Sequence, residues 1–203
     1  DRTSRGLGDV YKRQGDLIIT SYQNVPLAEI NGFEIEYEQV FEAIMDSPND
    51  LLVKFNYTET ESEVIVNPGD TYINSIGTVV DAQNLLANGR DTRLQGQSDT
   101  IANFQIGLDN LQNQTQATLI VNYVSDRVRA RGIDVLPDII EEPPLLVDFA
   151  FSKIYSYPEF ELKLSLELRN LLDEEYYASM RNIAIYDQYD LGTSASLGFK
   201  ISF

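Results

Sequence analysis

The chain has 203 residues, a formal net charge of -17 at pH 7, and neither cysteine nor histidine. It therefore lacks thiolate nucleophiles, disulfides, Cys-ligated zinc and the commonest general base, which excludes most hydrolases and metalloenzymes. The acidic excess argues against nucleic acid as a partner, because phosphates are bound by patches of lysine and arginine.

The first fourteen residues, DRTSRGLGDVYKRQ, show no periodic polarity and include Arg2, Arg5, Lys12 and Arg13. This segment resembles translated sequencing adapter at the end of a metagenomic reading frame. We therefore predict that residues 1–14 are a non-native tail and that residues 15–203 form one unit. On this interpretation the chain is a fragment, and the natural protein begins upstream.

From residue 15 onward, apolar and polar residues alternate, as in β-strands with one apolar face. The clearest case has Phe160, Leu162, Leu164, Leu166 and Leu168 on one side of a strand. The pattern predicts eight strands: Leu17–Gln23, Phe33–Glu38, Leu51–Thr58, Ala102–Asp109, Ala117–Tyr123, Leu145–Ser152, Phe160–Arg169 and Ser194–Phe203. No apolar run is long enough for a spanning helix, but a membrane strand needs only about 9–11 residues.

The predicted connections alternate between short and long, except for the ambiguous first one at Asn24–Ile30. The short ones are Ala43–Asn49, Asn110–Gln114 and Ser156–Glu159, and the long ones are Glu59–Ser98, Asp126–Pro144 and Asn170–Thr193. Transmembrane barrels sort their connections in this way, with short turns on the periplasmic side and long loops outside. A soluble antiparallel sandwich uses the same alternation of residues and is the alternative, but it has no reason to sort its loops.

Several segments resemble the last strands of TonB-dependent receptors. They are NGFEIEYEQVF at Asn31–Phe41, LLVKFNYTETESE at Leu51–Glu63, LRNLLDEEYY at Leu168–Tyr177 and SLGFKISF at Ser196–Phe203. Their order and spacing along the chain carry the resemblance. One departure is the absence of tryptophan, which leaves tyrosine and phenylalanine to form the aromatic girdles.

The resemblance implies an all-β fold: an antiparallel transmembrane segment of about eight strands from a 22-stranded barrel, seen alone as an open curved sheet. It also implies the outer membrane of a Gram-negative bacterium, with membrane lipid and the barrel assembly machinery as partners. The TonB complex would act through an N-terminal plug region that this sequence lacks. The imported ligand would be a small molecule: a ferric siderophore, cobalamin or an oligosaccharide. A receptor of this kind is expected not to be an enzyme and to have no catalytic residue, metal or cofactor. A complete small barrel of eight strands is the alternative architecture.

Two groups of residues in the long connections are candidates for ligand binding. Arginines near the fifth predicted strand are suited to anionic ligands, and tyrosines in the last connection are suited to stacking on a sugar or chelate ring. They are Arg127, Arg129, Arg131, Tyr176, Tyr177, Tyr186 and Tyr189. The alternatives are solvated rim charges and an aromatic girdle.

The C-terminal residues Phe199, Ile201 and Phe203 resemble the signal that the barrel assembly machinery recognises. The glutamates of the polar strand faces, such as Glu34 and Glu161, are spread over several strands. We interpret them as the lining of a polar lumen rather than as the paired carboxylates of a glycosidase.

Overall fold

The computed structural model describes residues 12–14, 17–19, 27–42, 48–74, 77–86, 91–132, 136–181 and 183–203. They form fifteen strands and one 3₁₀ helix, Ala82–Leu85. The strands are β1 (Lys12–Gln14), β2 (Leu17–Ile19), β3 (Leu27–Phe41), β4 (Asn49–Ile65), β5 (Thr71–Ile73), β6 (Val79–Asp81), β7 (Thr100–Asn110), β8 (Thr115–Val124), β9 (Arg127–Ala130), β10 (Ile139–Glu142), β11 (Leu146–Ser156), β12 (Glu161–Arg169), β13 (Glu175–Met180), β14 (Ile185–Asp190) and β15 (Ser194–Ser202). Among these residues no helix combines the length and apolarity needed to cross a membrane.

The main sheet has seven strands in the order β15-β12-β11-β8-β7-β4-β3, and all its pairings are antiparallel. Within the described residues β3 and β15 are its edges, so the sheet is open, which confirms the predicted all-β open sheet. Seven of the eight predicted strands lie in it.

The remaining predicted strand, Leu17–Gln23, is described only at Leu17–Ile19, and residues 20–23 lie outside the described part. Leu17–Ile19 pairs with Lys12–Gln14 in a separate two-stranded sheet. One of these two strands therefore falls inside the segment predicted to be a tail, of which residues 1–11 are not described. No ladder joins Leu17–Ile19 to β15 among the described pairings.

The register of the main sheet places the alternating residues on two faces. Directly paired residues share a face, and Val53, Ile106, Leu119, Phe149 and Leu168 form one continuous row. We call the side carrying this row the apolar face. The polar face carries, among others, a row of Glu36, Asn56, Asn103 and Asn122. The pairing thus joins the alternation of single strands into two faces that extend across the sheet.

The apolar face has no covering layer in the described part of the chain. On the central strands Phe104 is 37% exposed and Tyr123 43%, and on the edge strand β15 Phe199 is 77% exposed. None of the buried apolar residues in the described part of the chain lies on this face. They are Val64, Tyr72, Ala82, Val128, Ala130, Ile139 and Ala178. A water-soluble sheet of this size normally buries its apolar face against another layer.

The short and long connections lie at opposite ends of the sheet, as predicted. The connections β3–β4, β7–β8 and β11–β12 are short, and β4–β7, β8–β11 and β12–β15 are long. Because consecutive strands run antiparallel, all three short turns fall at one end. The short turn predicted at Ala43–Asn49 lies mostly outside the described residues. The long connections contain strands of their own, and β4 continues to Ile65 because it pairs with β3 as far as Leu27.

Candidate functional site

Two of the long connections join to form a second sheet at one end of the main sheet. Its strand order is β14-β13-β10-β9, so β9 and β10 come from one connection and β13 and β14 from the next. The contact between them is the antiparallel pairing of Ile139–Glu142 with Tyr177–Met180. This sheet brings most of the predicted arginines and tyrosines together, and we call it the loop sheet.

A small apolar core holds the loop sheet together. Ala130, Ile139 and Ala178 are buried against one another, and Tyr176 and Met180 pack on them. Ala130 and Ile139 come from the second long connection and Ala178 from the third, so the apolar residues of each connection are buried against those of the other. The loop sheet is therefore a folded unit rather than a pair of independent loops.

Arg129 is the centre of the candidate site. Its Nη1 donates a hydrogen bond to the Tyr176 hydroxyl at 2.8 Å and forms an ion pair with Asp187 Oδ2 at 3.2 Å. The guanidinium also lies over the Tyr176 and Tyr186 rings, 5.8 and 5.5 Å from their centroids. Such contacts combine charge pairing with cation–π attraction. Tyr176 in turn stacks on Tyr189, with ring centroids 4.7 Å apart.

Glu141 and Arg127 complete the cluster on the neighbouring strands. Arg127 Nε donates to Glu141 Oε2 at 2.7 Å. Burial raises the pKa of Glu141, but the hydrogen bond and charge of Arg127 outweigh this effect and hold the pKa below its usual value. Burial and the hydrogen bond with Glu141 raise the pKa of Tyr176 to about 12. At neutral pH the cluster therefore contains a neutral phenol between a carboxylate and a guanidinium.

Arg131 lies apart from this cluster, and its side chain is buried in contacts within the protein. It is 3% exposed, and its Nη1 forms an ion pair at 3.2 Å with Asp138, which is 1% exposed. Its guanidinium also donates to the backbone carbonyls of Asp91 and Arg93. A Cβ at Gly132 would collide with the carbonyls of Leu136 and Pro137. Arg131 therefore ties the paired strands β9 and β10 to the first long connection.

Of the seven predicted binding residues, five lie in the cluster. They are Arg127, Arg129, Tyr176, Tyr186 and Tyr189. Tyr177 follows Tyr176 on β13 and so points to the opposite face of the loop sheet. Each of the three arginines is paired with a carboxylate. The C-terminal residues Phe199, Ile201 and Phe203 lie at the exposed edge of the main sheet.

Sequence reasoning missed Arg93, which connects the first two long connections. Its guanidinium is paired with Asp91 at 2.7 Å, Asp126 at 2.8 Å and Asp99 at 3.3 Å. Two open cavities of about 500 Å³ flank it. The carboxylates stand within six residues of Arg93 in the sequence except Asp126, which the fold brings from the end of β8. No periodic pattern marks such a contact.

Sequence reasoning also missed Asn170, which closes the base of the third long connection. The residue is buried and has a positive φ of 52°. Its amide donates to the carbonyls of Glu174 and Gly192 at 3.1 and 3.2 Å and accepts from the Glu174 backbone N–H at 3.1 Å. Asparagine tolerates the left-handed conformation better than most residues. Asn170 therefore joins the two ends of the connection that carries β13 and β14.

The glutamates of the polar face form local hydrogen bonds with neighbouring strands. Asn56 donates to Glu34 at 2.6 Å, and Lys54 pairs with Glu38 at 2.9 Å. In the described part of the chain no group of three or more acidic side chains is arranged to hold a metal ion. This arrangement fits the interpretation of these residues as the polar lining of a sheet.

Comparisons of the chain with models of protein families, with curated proteins and with solved structures found no match.

Replacing Asn170 should destabilise the third long connection. Asn170→Ala removes three hydrogen bonds and leaves a residue that disfavours the left-handed conformation, which should cost roughly 2–4 kcal/mol of unfolding free energy. Asn170→Gly should cost less, because it loses the same bonds but adopts this φ freely. Urea unfolding of both variants measures the difference. A small, equal effect of the two substitutions would show that Asn170 does not close the connection.

The Arg127–Glu141 pair should make the loop sheet sensitive to acid. A folded-state pKa below the usual value means that the pair's stabilisation is present above the ordinary glutamate pKa and is lost as pH falls through the depressed value. Between about pH 6 and about pH 3, the stability difference between wild type and Glu141→Gln should therefore shrink. Thermal unfolding at several pH values tests this. Glu142→Gln is the matched control, since Glu142 is the exposed neighbour, and a pH-independent difference for Glu141→Gln would contradict the prediction.

Proposed function

We propose that this chain is part of the barrel wall and extracellular loops of a TonB-dependent outer-membrane receptor, which imports a scarce nutrient. The observation that carries the proposal is the continuous, uncovered apolar face of the seven-stranded sheet. On this proposal the apolar face contacts lipid, the polar face lines the lumen, and the loop sheet lies outside the cell. The resemblance of four segments to this family supplies the identity of the receptor.

The position of the apolar residues along each strand supports an inclined, membrane-spanning sheet. The apolar stretch is centred at Tyr37 on β3 and at Phe199 on β15. Through successive pairs, Tyr37 lies in the row of Val121 and Phe199 in the row of Thr115. The centre therefore shifts by about six residues, or about 20 Å, across six strand spacings of about 4.8 Å. This corresponds to an inclination of about 35°, within the range of membrane barrels.

The height of the apolar stretch is also that of a membrane barrel. On β12 and the residue before it, the stretch runs from Phe160 to Leu168. Nine residues extend about 30 Å along a strand and about 25 Å along the membrane normal after the inclination is taken into account. The outer apolar band of such barrels is about 25 Å tall. Tyr157, stacked on Phe160 at 4.7 Å, is suited to the aromatic girdle at the short-turn end.

Both alternatives are less well supported. A soluble carbohydrate-binding sandwich would bury the apolar face under a second sheet, whereas in the described residues the second sheet has its own small core around Ala130 and Ile139. A complete eight-stranded barrel would pair Leu17–Gln23 with β15. Leu17–Ile19 pairs instead with β1, and β15 pairs with β12.

The charge pairing in the loop sheet favours a neutral ligand. An anionic chelate would compete with Glu141 and Asp187 for arginines that already have carboxylate partners. Tyr189 is 49% exposed beyond its stack with Tyr176 and offers a ring to a flat apolar surface, such as that of a sugar. Among the three ligand classes of the family, the cluster therefore favours an oligosaccharide over a ferric siderophore.

The proposed receptor would take its energy from the TonB complex, through a plug that the resemblance places upstream of these strands. Phe199, Ile201 and Phe203 would present the extended apolar strand end to the barrel assembly machinery. Their exposed positions at the edge strand β15 are suited to this role.

The membrane assignment is tested by placing the same charge on adjacent residues of β12. Leu166 lies near the middle of the apolar stretch and pairs with Phe151 and Leu197. Leu166→Arg should reduce the free energy of folding into lipid vesicles by roughly 2–4 kcal/mol. Glu167→Arg, on the polar face, should change it by much less. Equal tolerance of arginine at both positions in a vesicle-refolding titration would contradict the proposal.

A further inference from the structure

The apolar face carries one charged residue within its apolar stretches, in the described part of the chain. On this face the stretches comprise the alternate residues of 33–41, 51–57, 102–108, 117–123, 145–155, 160–168 and 195–203. The charged residue is Lys153, on β11. Apart from Lys153 and the tyrosines, Gln39 is the residue of these stretches with a polar side chain. A charge on a lipid-facing surface is costly unless its head group reaches the interface.

Lys153 lies close to the short-turn end of its strand. By the inclination of about 35°, the centre of the apolar face crosses β11 at Phe151, so Lys153 lies two residues from it, or about 5 Å along the membrane normal. Its ammonium is directed to the Tyr155 ring, 5.1 Å from the centroid, and Tyr155 is two residues nearer the turn. The side chain thus extends along the apolar surface toward the interface on the short-turn side.

No carboxylate among the described residues forms an ion pair with Lys153, in contrast to Lys54 on the polar face, which pairs with Glu38. The ammonium has a ring contact on one side, and the side chain is half-buried. On the β12 side the face is apolar, with Leu164 directly opposite Lys153 and Leu162 opposite Tyr155, and on the β8 side Lys153 pairs with Thr115. A ligand for this position therefore needs an anionic group attached to an apolar chain.

We propose that Lys153 and Tyr155 form a binding position for the phosphate group of an anionic phospholipid in the leaflet on the short-turn side. This proposal rests on the proposed function, since it requires that the apolar face contact lipid. The Lys153 ammonium would pair with the lipid phosphate, and the acyl chains would lie along Leu162 and Leu164. The chain as a whole is strongly acidic, so its net charge alone would disfavour anionic lipids. The proposed position predicts the opposite, a local preference for an anionic lipid.

The test uses the absence of tryptophan from the chain. Leu162→Trp places a single indole directly opposite Tyr155, and its quenching by brominated lipids reports which lipid occupies that position. The chain with this reporter is refolded into vesicles of phosphatidylcholine and phosphatidylglycerol in equal parts, with either lipid brominated. The ratio of the two quenching efficiencies gives the relative preference for the anionic lipid.

With Lys153 present, we expect phosphatidylglycerol to be preferred about fivefold, the factor that corresponds to ~1 kcal/mol for one lysine at a charged surface. Lys153→Gln should bring the preference close to one. Lys163→Gln is the matched control, because Lys163 adjoins the reporter on the polar face and its loss changes the net charge equally. It should leave the preference unchanged.

The outcomes separate this proposal from the membrane assignment. Quenching with the same lipid preference in wild type and Lys153→Gln would overturn the lipid position and leave the membrane assignment intact. Loss of the preference in the Lys163→Gln control as well would also overturn it, because the effect would then come from net charge. If the indole is not quenched by either brominated lipid, both proposals fail.

Discussion

The structure depends on the pairing of seven antiparallel strands that keep one register, because the register decides which side chains share a face. Alternation within a single strand separates residues only locally. The backbone ladders from β3 to β15 align these residues into one apolar and one polar face across the whole sheet. A shift of one residue in any ladder would place apolar side chains such as Phe149 among the polar ones. The apolar face then requires a covering, which on our account is lipid.

The end of the sheet with the long connections is organised by charge and hydrogen bonding rather than by a large core. Arg93 and Arg131 join the first connection to the second, and the pairing of β10 with β13 joins the second to the third. Asn170 closes the third at its base. These contacts fix the geometry of the arginine and tyrosine cluster. On the proposed function, such a preorganised surface lowers the entropy that ligand binding would cost.

The main sheet was predictable from the sequence, whereas the loop sheet was not. Strands such as Phe160–Arg169 follow from a period of two residues, which needs no knowledge of the partner strand. The pairing of Ile139–Glu142 with Tyr177–Met180 depends on segments about 40 residues apart, and four-residue strands carry too short a pattern to be identified. The position of Arg131 away from the cluster likewise depends on distant residues, because its guanidinium bonds to the carbonyls of Asp91 and Arg93. Strand β4 exceeds its predicted end because β3 supplies partners for residues whose polarity does not alternate.

The central claim is that the apolar face of the main sheet contacts lipid and the polar face contacts water. The chain has no cysteine, so single cysteines introduced at successive positions from Leu162 to Arg169 are the only thiols. After insertion into vesicles, a membrane-impermeant maleimide should label positions 163, 165, 167 and 169 on the water-exposed polar face, and should leave positions 162, 164, 166 and 168 unlabelled until detergent is added. Equal labelling of the two sets before detergent is added would contradict the claim that the apolar face is covered by lipid.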